Sequence, residues 1–387
     1  MAHLLIDLTF HGYGHVGQTA PVIRRLRELE PNLKITVRSA IPFKHLASRL
    51  PVPFHHLPVA TDLGIPMLSF REVDRAECLR AYESLHENWD RAVDTCAKAT
   101  RDVAPDLVLS NASYLALAAA ERAGIPSIGY SSLNWADLYE FYSAGELNAD
   151  RIVGEMRDAY RSADLFLKVQ PSMPMNWLPN AVEIGAVAQI GSNRRREILD
   201  RLHLPGDSRL VLAAFGGMPV EIDCSAWPDI PNTHFLVPFN WRGKPGTCTP
   251  LDTLAMPFAD LVRSCDAVMA KPGYGIVVEA ACCGTAFLSV PRLDWPEQDI
   301  LVEWLKRHGT IGTISPDRLV SGDIASVLKE LVPIAGRRRA SCLKPTGIEE
   351  AAHFLHERLA GAPGPRSRLS DQFGDGRRKP MRLAVGG

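Results

Sequence analysis

Three segments of the chain combine glycine with residues that could bind an anion or move a proton. In the first segment, FHGYGHVGQT, His15 directly follows Gly12, Tyr13 and Gly14. A histidine inside a glycine loop, in front of a helix, is well placed to act as a general base or to contact an anion. A histidine that merely caps the loop or packs against a neighbouring domain is an equally weighted alternative.

The second segment is KPGYG, residues 271–275, between a short apolar run and a helical pattern that Gly284 is predicted to end. Gly273 and Gly275 break regular backbone, since glycine tolerates turns that other residues resist. A strand, a glycine loop and a helix together present free N–H groups to an anion. Glu279, in the predicted helix, could accept hydrogen bonds from sugar hydroxyls or only compensate the helix dipole.

The third group of candidates lies in the second half of the chain. Gly216 and Gly217 follow a predicted strand, where backbone could approach a ligand or only make a tight turn. Glu297 and Gln298, in RLDWPEQD, follow another strand and would suit a ligand rich in hydroxyl groups. A solvated loop is the alternative for this pair.

Two cofactor classes fit the sequence poorly. The first glycine segment is close to a dinucleotide-binding pattern, but Arg38 stands where an acidic residue should end the second strand. We find no DxD-like carboxylate pair that would hold a metal ion. The eight cysteines show no CxxC spacing, which indicates reduced thiols rather than a metal site. We therefore predict neither a resident cofactor nor a metal.

The composition predicts an ordinary globular protein. A chain of 387 residues suggests about two domains. The net charge of −1 offers no field that would collect nucleic acid, and no apolar run approaches the length of a transmembrane helix. The N-terminus starts at once as a core strand, without a signal peptide. We predict a cytoplasmic protein with no nucleic-acid partner, and the sequence leaves its oligomeric state open.

Strand-like and helix-like segments alternate along the chain, which predicts an α/β fold of two doubly wound, Rossmann-like domains facing a cleft. Both glycine loops should face that cleft, because open parallel sheets bind ligands beyond the carboxyl ends of their strands. The predicted boundaries are a first domain (1–180), a linker (181–207), a second domain (208–345), a helix packing back on the first domain (346–361) and a disordered tail (362–387).

Taken together, these segments resemble the two-domain GT-B glycosyltransferases, above all the lipid II N-acetylglucosaminyltransferase and the UDP-glycosyltransferases. In that family a GxGH loop opens the first domain and a strand ending in FGG opens the second. A G-x-G-x-x-x-E helix start, followed by an acidic residue and Gln, binds the nucleotide sugar. The KPGYG form is also similar to the N-terminal part of L-arabinokinases. The resemblance covers most of the first 360 residues.

The resemblance implies roles for these residues. His15 would be the acceptor base or would stabilise charge, and Glu279 would bind the ribose. Glu297 and Gln298 would contact the donor sugar. The diphosphate would be held by the backbone of Gly216, Gly217, Gly273, Tyr274, Gly275 and Ile276. The first domain would bind the acceptor, and its candidate contacts are Asn111, Ser131, Ser132 and Asn134.

The implied function is transfer of a hexosyl or related sugar from a nucleoside-diphosphate sugar to a small-molecule or lipid-type acceptor. Uridine is the commonest base in the family, with guanosine and thymidine left open. A nucleotide-sugar hydrolase on the same fold is the second hypothesis. A non-catalytic nucleotide-sugar binder is the third, and an NAD-dependent dehydrogenase is a poor fourth.

Overall fold

The computed structural model describes residues 1–12, 14–50, 52–69, 71–215, 221–225, 227–244, 246–332 and 343–361. The predicted tail, 362–387, lies outside them. Within this part of the chain, strands and helices alternate to build two sheets whose strands are all parallel. No helix in the same residues is long and apolar enough to cross a membrane.

The first half of the chain forms a seven-stranded sheet in the order β3-β2-β1-β4-β5-β6-β7. Its elements are β1 (His3–Leu8), α1 (Gly14–Leu29), β2 (Lys34–Arg38), α2 (Phe43–Arg49), β3 (His55–Leu57), α3 (Arg75–Glu87), α4 (Trp89–Val103), β4 (Leu107–Asn111), α5 (Tyr114–Ala123), β5 (Ser127–Ser131), α6 (Trp135–Tyr142), α7 (Ala149–Ser162), β6 (Leu165–Val169) and β7 (Ala181–Ile184).

The second half forms a six-stranded sheet in the order β10-β9-β8-β11-β12-β13. Its elements are α8 (Arg195–Arg201), β8 (Arg209–Ala213), β9 (Thr233–Val237), β10 (Cys248–Pro250), a 3₁₀ turn (Leu251–Leu254), α9 (Phe258–Ser264), β11 (Ala267–Ala270), α10 (Tyr274–Cys283), β12 (Ala286–Ser289), α11 (Glu297–His308), β13 (Ile311–Thr313), α12 (Pro316–Ser321), α13 (Ala325–Leu331) and α14 (Gly347–Leu359).

The central strands of both sheets are apolar and buried on both faces, as parallel sheets require. All four residues of β11 are buried, and so are all six of β1. The strand order reverses between β1 and β4 in one sheet and between β8 and β11 in the other. Such reversals leave a crevice at the carboxyl ends of the strands, where ligands bind. The predicted α/β class of two Rossmann-like sheets is confirmed.

The chain joins the two halves differently from the sequence-based boundaries. Four residues assigned to the linker, Ala181–Ile184, form the edge strand β7, which pairs in parallel with β6 from Phe166↔Ala181 to Val169↔Ile184. The proline-rich stretch before it gives no strand pattern, so this pairing could not be read from the sequence.

Helix α14 lies against α1 of the first half. Arg25 Nε donates to Glu349 at 2.9 Å, and the backbone N–H of Gly347 donates to the carbonyl of Ala186 at 3.0 Å. The approach is close, since a Cβ added to Gly185 would lie 2.0 Å from the Thr346 hydroxyl.

Candidate active site

The N-terminal ends of two helices meet between the sheets. Helix α1 begins at Gly14 just after β1, and α10 begins at Tyr274 just after β11. The two helices contact each other, and the Gln18 side chain lies close to the Tyr274 hydroxyl. Because a helix N-terminus carries partial positive charge, this junction favours an anion. We call the space at this junction the gap.

The start of α10 is open to a ligand. Gly273 is its N-cap, with extended φ of −138° and ψ of 151°, and no side chain among the described residues caps the helix. A Cβ added to Gly273 or to Gly275 would meet no atom of the described residues within 4 Å. The same is true of Gly12, which precedes α1, and of Gly14, its first residue. A phosphate could therefore approach the uncapped N–H groups of the first turn, which includes Ile276.

His15 lies in the first turn of α1, not in a loop as the sequence indicated, because the helix already begins at Gly14. The side chain is buried, with 8 % of the residue exposed. Its Nδ1 lies 2.8 Å from Oδ1 of Asn111, the last residue of β4. Burial lowers the pKa of His15 to about 4, against the opposing effect of that hydrogen bond.

The contacts of Asn111 determine which nitrogen of His15 carries the proton. Its Nδ2 donates to Thr19 Oγ1 at 2.8 Å and approaches the carbonyl oxygen of His15 at 3.4 Å. The amide oxygen therefore faces the ring, and Nδ1–H is the donor. The Nε2 atom keeps its lone pair, so the ring is a neutral base at neutral pH. The Asn111 side chain, predicted to contact the acceptor, is fully buried behind His15 in this structure.

An aromatic cluster joins the halves beside His15. The His11 ring stacks on Trp295 of the second half at 5.7 Å and an interplanar angle of 3°. Its edge contact with Trp135 is at 5.4 Å, and its Nδ1 accepts from the backbone N–H of Ile65 at 3.2 Å. Burial, followed by the nearby charges of the gap, lowers the pKa of His11 to about 3. His11 is therefore a neutral wall of the site.

Glu297 reaches across to the first half. It is 3 % exposed, and it accepts from the Ser132 hydroxyl at 3.1 Å and from the Trp295 indole N–H at 3.2 Å. Burial raises the pKa of this carboxyl group. Two residues that the sequence assigned to opposite ligands, Ser132 for the acceptor and Glu297 for the donor sugar, thus touch directly.

Gln298 is used inside its own loop. Its side-chain oxygen accepts from the backbone N–H of Arg292 at 2.6 Å. In this structure the amide holds the turn before α11 and does not present both of its groups to the gap.

Glu279 stands apart from these contacts. It is half-buried at the sixth position of α10, beyond the first turn, so dipole compensation does not account for it. No hydrogen bond from another described residue reaches its carboxylate, while burial raises its pKa to about 7 and Arg49 opposes this. An unpartnered carboxylate in this position is available to hydroxyl groups of a ligand.

Two further candidates have local structural roles. The Ser131 hydroxyl accepts from the backbone N–H of Leu133 at 3.2 Å. Asn134 is the fully buried N-cap of α6, with its side-chain oxygen 2.8 Å from the Asp137 N–H. Both were predicted to face the acceptor, and for Asn134 the cap explains the residue instead. Tyr13, Gly216 and Gly217 lie outside the described residues.

Tyr274 contributes its side chain to the joint between the halves. Its hydroxyl donates to the carbonyl of Gln170 at 2.9 Å and accepts from the backbone N–H of Val187 at 2.9 Å. This fixes the start of α10 against the segments around β7. Tyr274 is therefore placed to hold the anion-binding turn in position, and only its backbone faces the ligand space.

Sequence reasoning missed three charged residues of the site. Asp62 accepts a hydrogen bond from the Trp135 indole N–H at 2.9 Å and forms no ion pair with another described residue. Burial raises the pKa of its carboxyl group to about 6. Lys271 and Arg292 follow the neighbouring strands β11 and β12. Both cations lie within segments that the sequence analysis singled out, KPGYG and RLDWPEQD. The sequence did not show how far either side chain is buried.

Comparison with known proteins supports the fold. No protein-family model matches the chain. The chain is 25 % identical over 399 residues to the L-arabinokinase of Arabidopsis thaliana, a match that covers 98 % of this chain and 36 % of that protein. The chain thus spans about a third of the length of this relative.

Solved glycosyltransferases share the architecture along almost the whole chain. The calicheamicin glycosyltransferase CalG4 superposes with a TM-score of 0.55 at 14 % identity, over 98 % of this chain and all of that one. A UGT transferase from Siraitia grosvenorii in complex with UDP gives 0.54 at 12 % identity, over 93 % and 100 %. The chain has the two-domain GT-B fold that the sequence predicted.

Proposed function

We propose that this protein is a glycosyltransferase that moves a hexosyl or related sugar from a UDP-sugar to a small-molecule or lipid-type acceptor, without a metal or other cofactor. One observation carries the proposal. The uncapped start of α10, open at Gly273 and Gly275, meets the helix of a buried neutral histidine at one gap between two parallel sheets. The similar structures include a complex with UDP and, for the glycosyltransferase VinC, one with dTDP, so uridine is the base proposed first and thymidine is the alternative.

The donor would lie along the second half of the chain. N–H groups from Gly273 to Ile276 would bind the diphosphate, with Lys271 adding a full positive charge beside them. Glu279 would accept hydrogen bonds from the ribose hydroxyls. Glu297, already a hydrogen-bond acceptor for Ser132, would exchange that contact for a hydroxyl group of the sugar.

His15 would serve the acceptor. Its Nε2 would take the proton of an acceptor hydroxyl as the oxygen forms a bond to the anomeric carbon. The bond from that carbon to the diphosphate breaks, and the leaving oxygen keeps the electron pair. Because a glycosyl transition state resembles an oxocarbenium ion leaving an anion, helix N–H groups and Lys271 can stabilise the developing negative charge.

A nucleotide-binding panel tests this function before any acceptor is known. Thermal unfolding would be followed with UDP, dTDP, GDP, CDP and ADP. A ligand present at 100 times its Kd stabilises a protein by about 2.7 kcal/mol, so a specific nucleotide should raise the Tm clearly above the others. We expect UDP to give the largest rise. If none of these nucleotides raises the Tm, the proposal is contradicted.

A further inference from the structure

Arg292 is a buried cation whose surroundings leave it incompletely paired. It lies three residues beyond the end of β12, with 8 % of the residue exposed. Its guanidinium carbon stands 3.9 Å from the centre of the Trp295 ring, and Nη2 approaches the sulfur of Met67 at 3.4 Å. Its Nε is buried and has no hydrogen-bond partner in the part of the chain that the structure describes.

No described carboxylate forms an ion pair with Arg292. Glu297 is hydrogen-bonded to Ser132 and Trp295, and together with Asp294 it attracts Arg292 without forming an ion pair with it. Burial lowers the pKa of Arg292 to about 10, more strongly than nearby acidic groups raise it. A buried charge without a partner is costly, and such groups are normally paired and hydrogen-bonded. An anionic group of a ligand would therefore pair with Arg292 and offset the cost of burying its charge.

The position of Arg292 distinguishes it from Lys271. Lys271 directly follows β11 and precedes the glycines at the diphosphate end of the gap. Arg292 belongs to the turn before α11, and the side chain of Gln298 binds its backbone at 2.6 Å. A sugar that reaches Glu297 would also reach this turn. The second cation thus lies on the sugar side, beyond the place proposed for the diphosphate.

We propose that Arg292 binds a carboxylate on the transferred sugar, so that the donor is a nucleoside-diphosphate uronic acid. This inference rests on the proposed donor site and extends it to the class of sugar. The planar guanidinium offers parallel N–H donors that match the two oxygens of a carboxylate, which a neutral hydroxymethyl group at the same carbon cannot use.

Titration calorimetry with UDP, UDP-glucose and UDP-glucuronate tests the inference. If the panel selects dTDP, the corresponding dTDP sugars replace these probes. The parent protein should bind the glucuronate about 10-fold to 100-fold more tightly than the glucose form, as expected for a charge-assisted pair. Arg292→Gln should remove this preference and leave the affinity for UDP unchanged, which also shows that the variant is folded.

Lys271→Gln is the matched control, because it removes the same charge from the same gap. It should weaken UDP and both sugar nucleotides together and keep the preference for glucuronate. Equal binding of the two sugars by the parent would overturn the inference, as would an Arg292→Gln variant that keeps the preference. Loss of the preference in Lys271→Gln to the same degree would also overturn it. If no nucleotide binds at all, the result contradicts the proposed function itself, on which the inference rests.

Discussion

Nδ1 of His15 lies 2.8 Å from the side-chain oxygen of Asn111, a residue 96 positions further along the chain. A carboxylate in this position orients a catalytic histidine and also stabilises the imidazolium ion that forms. A neutral amide fixes the ring and its tautomer but supplies no negative charge. His15 is thereby a weak base whose proton-accepting nitrogen is already in place.

Replacing that amide by a carboxylate should raise the basicity of His15. Burial lowers the pKa of His15 to about 4, so the neutral ring persists above that pH. Asn111→Asp places a negative charge against Nδ1–H, which favours the protonated ring and raises its pKa by about 1 to 3 units. The acidic limb of kcat for UDP release, measured at saturating donor with water or a hydroxyl acceptor, should move to higher pH accordingly.

Asn111→Leu provides the contrast, since it removes the hydrogen bond without adding charge. It should lower kcat by roughly 10²-fold or more through loss of ring orientation, in the range seen for positioned general bases. An acidic limb that stays in place in Asn111→Asp would mean that His15 does not govern the pH dependence.

His15→Gln should separate binding from turnover. The side chain does not contribute to the proposed donor contacts, so UDP affinity should stay within about 2-fold while UDP release falls by about 10² to 10⁴-fold. The measurement is calorimetry for binding and steady-state release of UDP for turnover. Free sugar formed by the parent without an added acceptor would favour the hydrolase, and unaltered turnover in the variant would exclude His15 as the base.

Glu279→Gln should weaken nucleotide binding and stabilise the free protein at alkaline pH. Burial raises the pKa of Glu279 to about 7, above its ordinary value. The folded protein therefore holds this proton more tightly than the unfolded chain. The contribution of Glu279 to stability falls as pH rises from the ordinary pKa of a glutamate toward about 7. A glutamine has no charge to bury, so the Tm of the variant at pH 8 should exceed that of the parent. The two Tm values should differ little at pH 4.

Affinity should change in the opposite direction. Removing one charged acceptor of ribose hydrogen bonds should raise the Kd for UDP by about 10-fold at pH 8. The parent should also bind UDP less tightly below pH 7, whereas Glu279→Gln should show a flat profile there. A variant that binds UDP as the parent does would show that Glu279 does not contact the ribose.

The sequence was informative where local chemistry decides the structure. The run before Lys271 predicts β11, and the glycines predict the open start of α10. Gly284 ends that helix with the positive φ, 67°, that glycine tolerates. The order of such units also indicated the two sheets, because parallel α/β proteins repeat one rhythm along the chain.

The sequence could not show which side chains meet across the fold. Asn111 and Asn134 are both polar residues at or beyond strand ends, yet one orients His15 and the other caps a helix. Ser132 and Glu297 are 165 residues apart and touch only because the halves close on each other. Burial of Lys271 and Arg292 likewise depends on that closure and leaves no trace in local composition.

The central claim is that the N-terminus of α10 binds a pyrophosphate, and calorimetric titration of UDP into two glycine variants tests it most directly. Gly275→Val puts a branched side chain where the structure has open space, without a strained φ. Gly154→Val makes the same change in α7, also into open space. We predict that Gly275→Val folds but loses UDP binding by at least about 100-fold, while Gly154→Val binds like the parent. Equal UDP affinity in Gly275→Val and the parent would contradict the account.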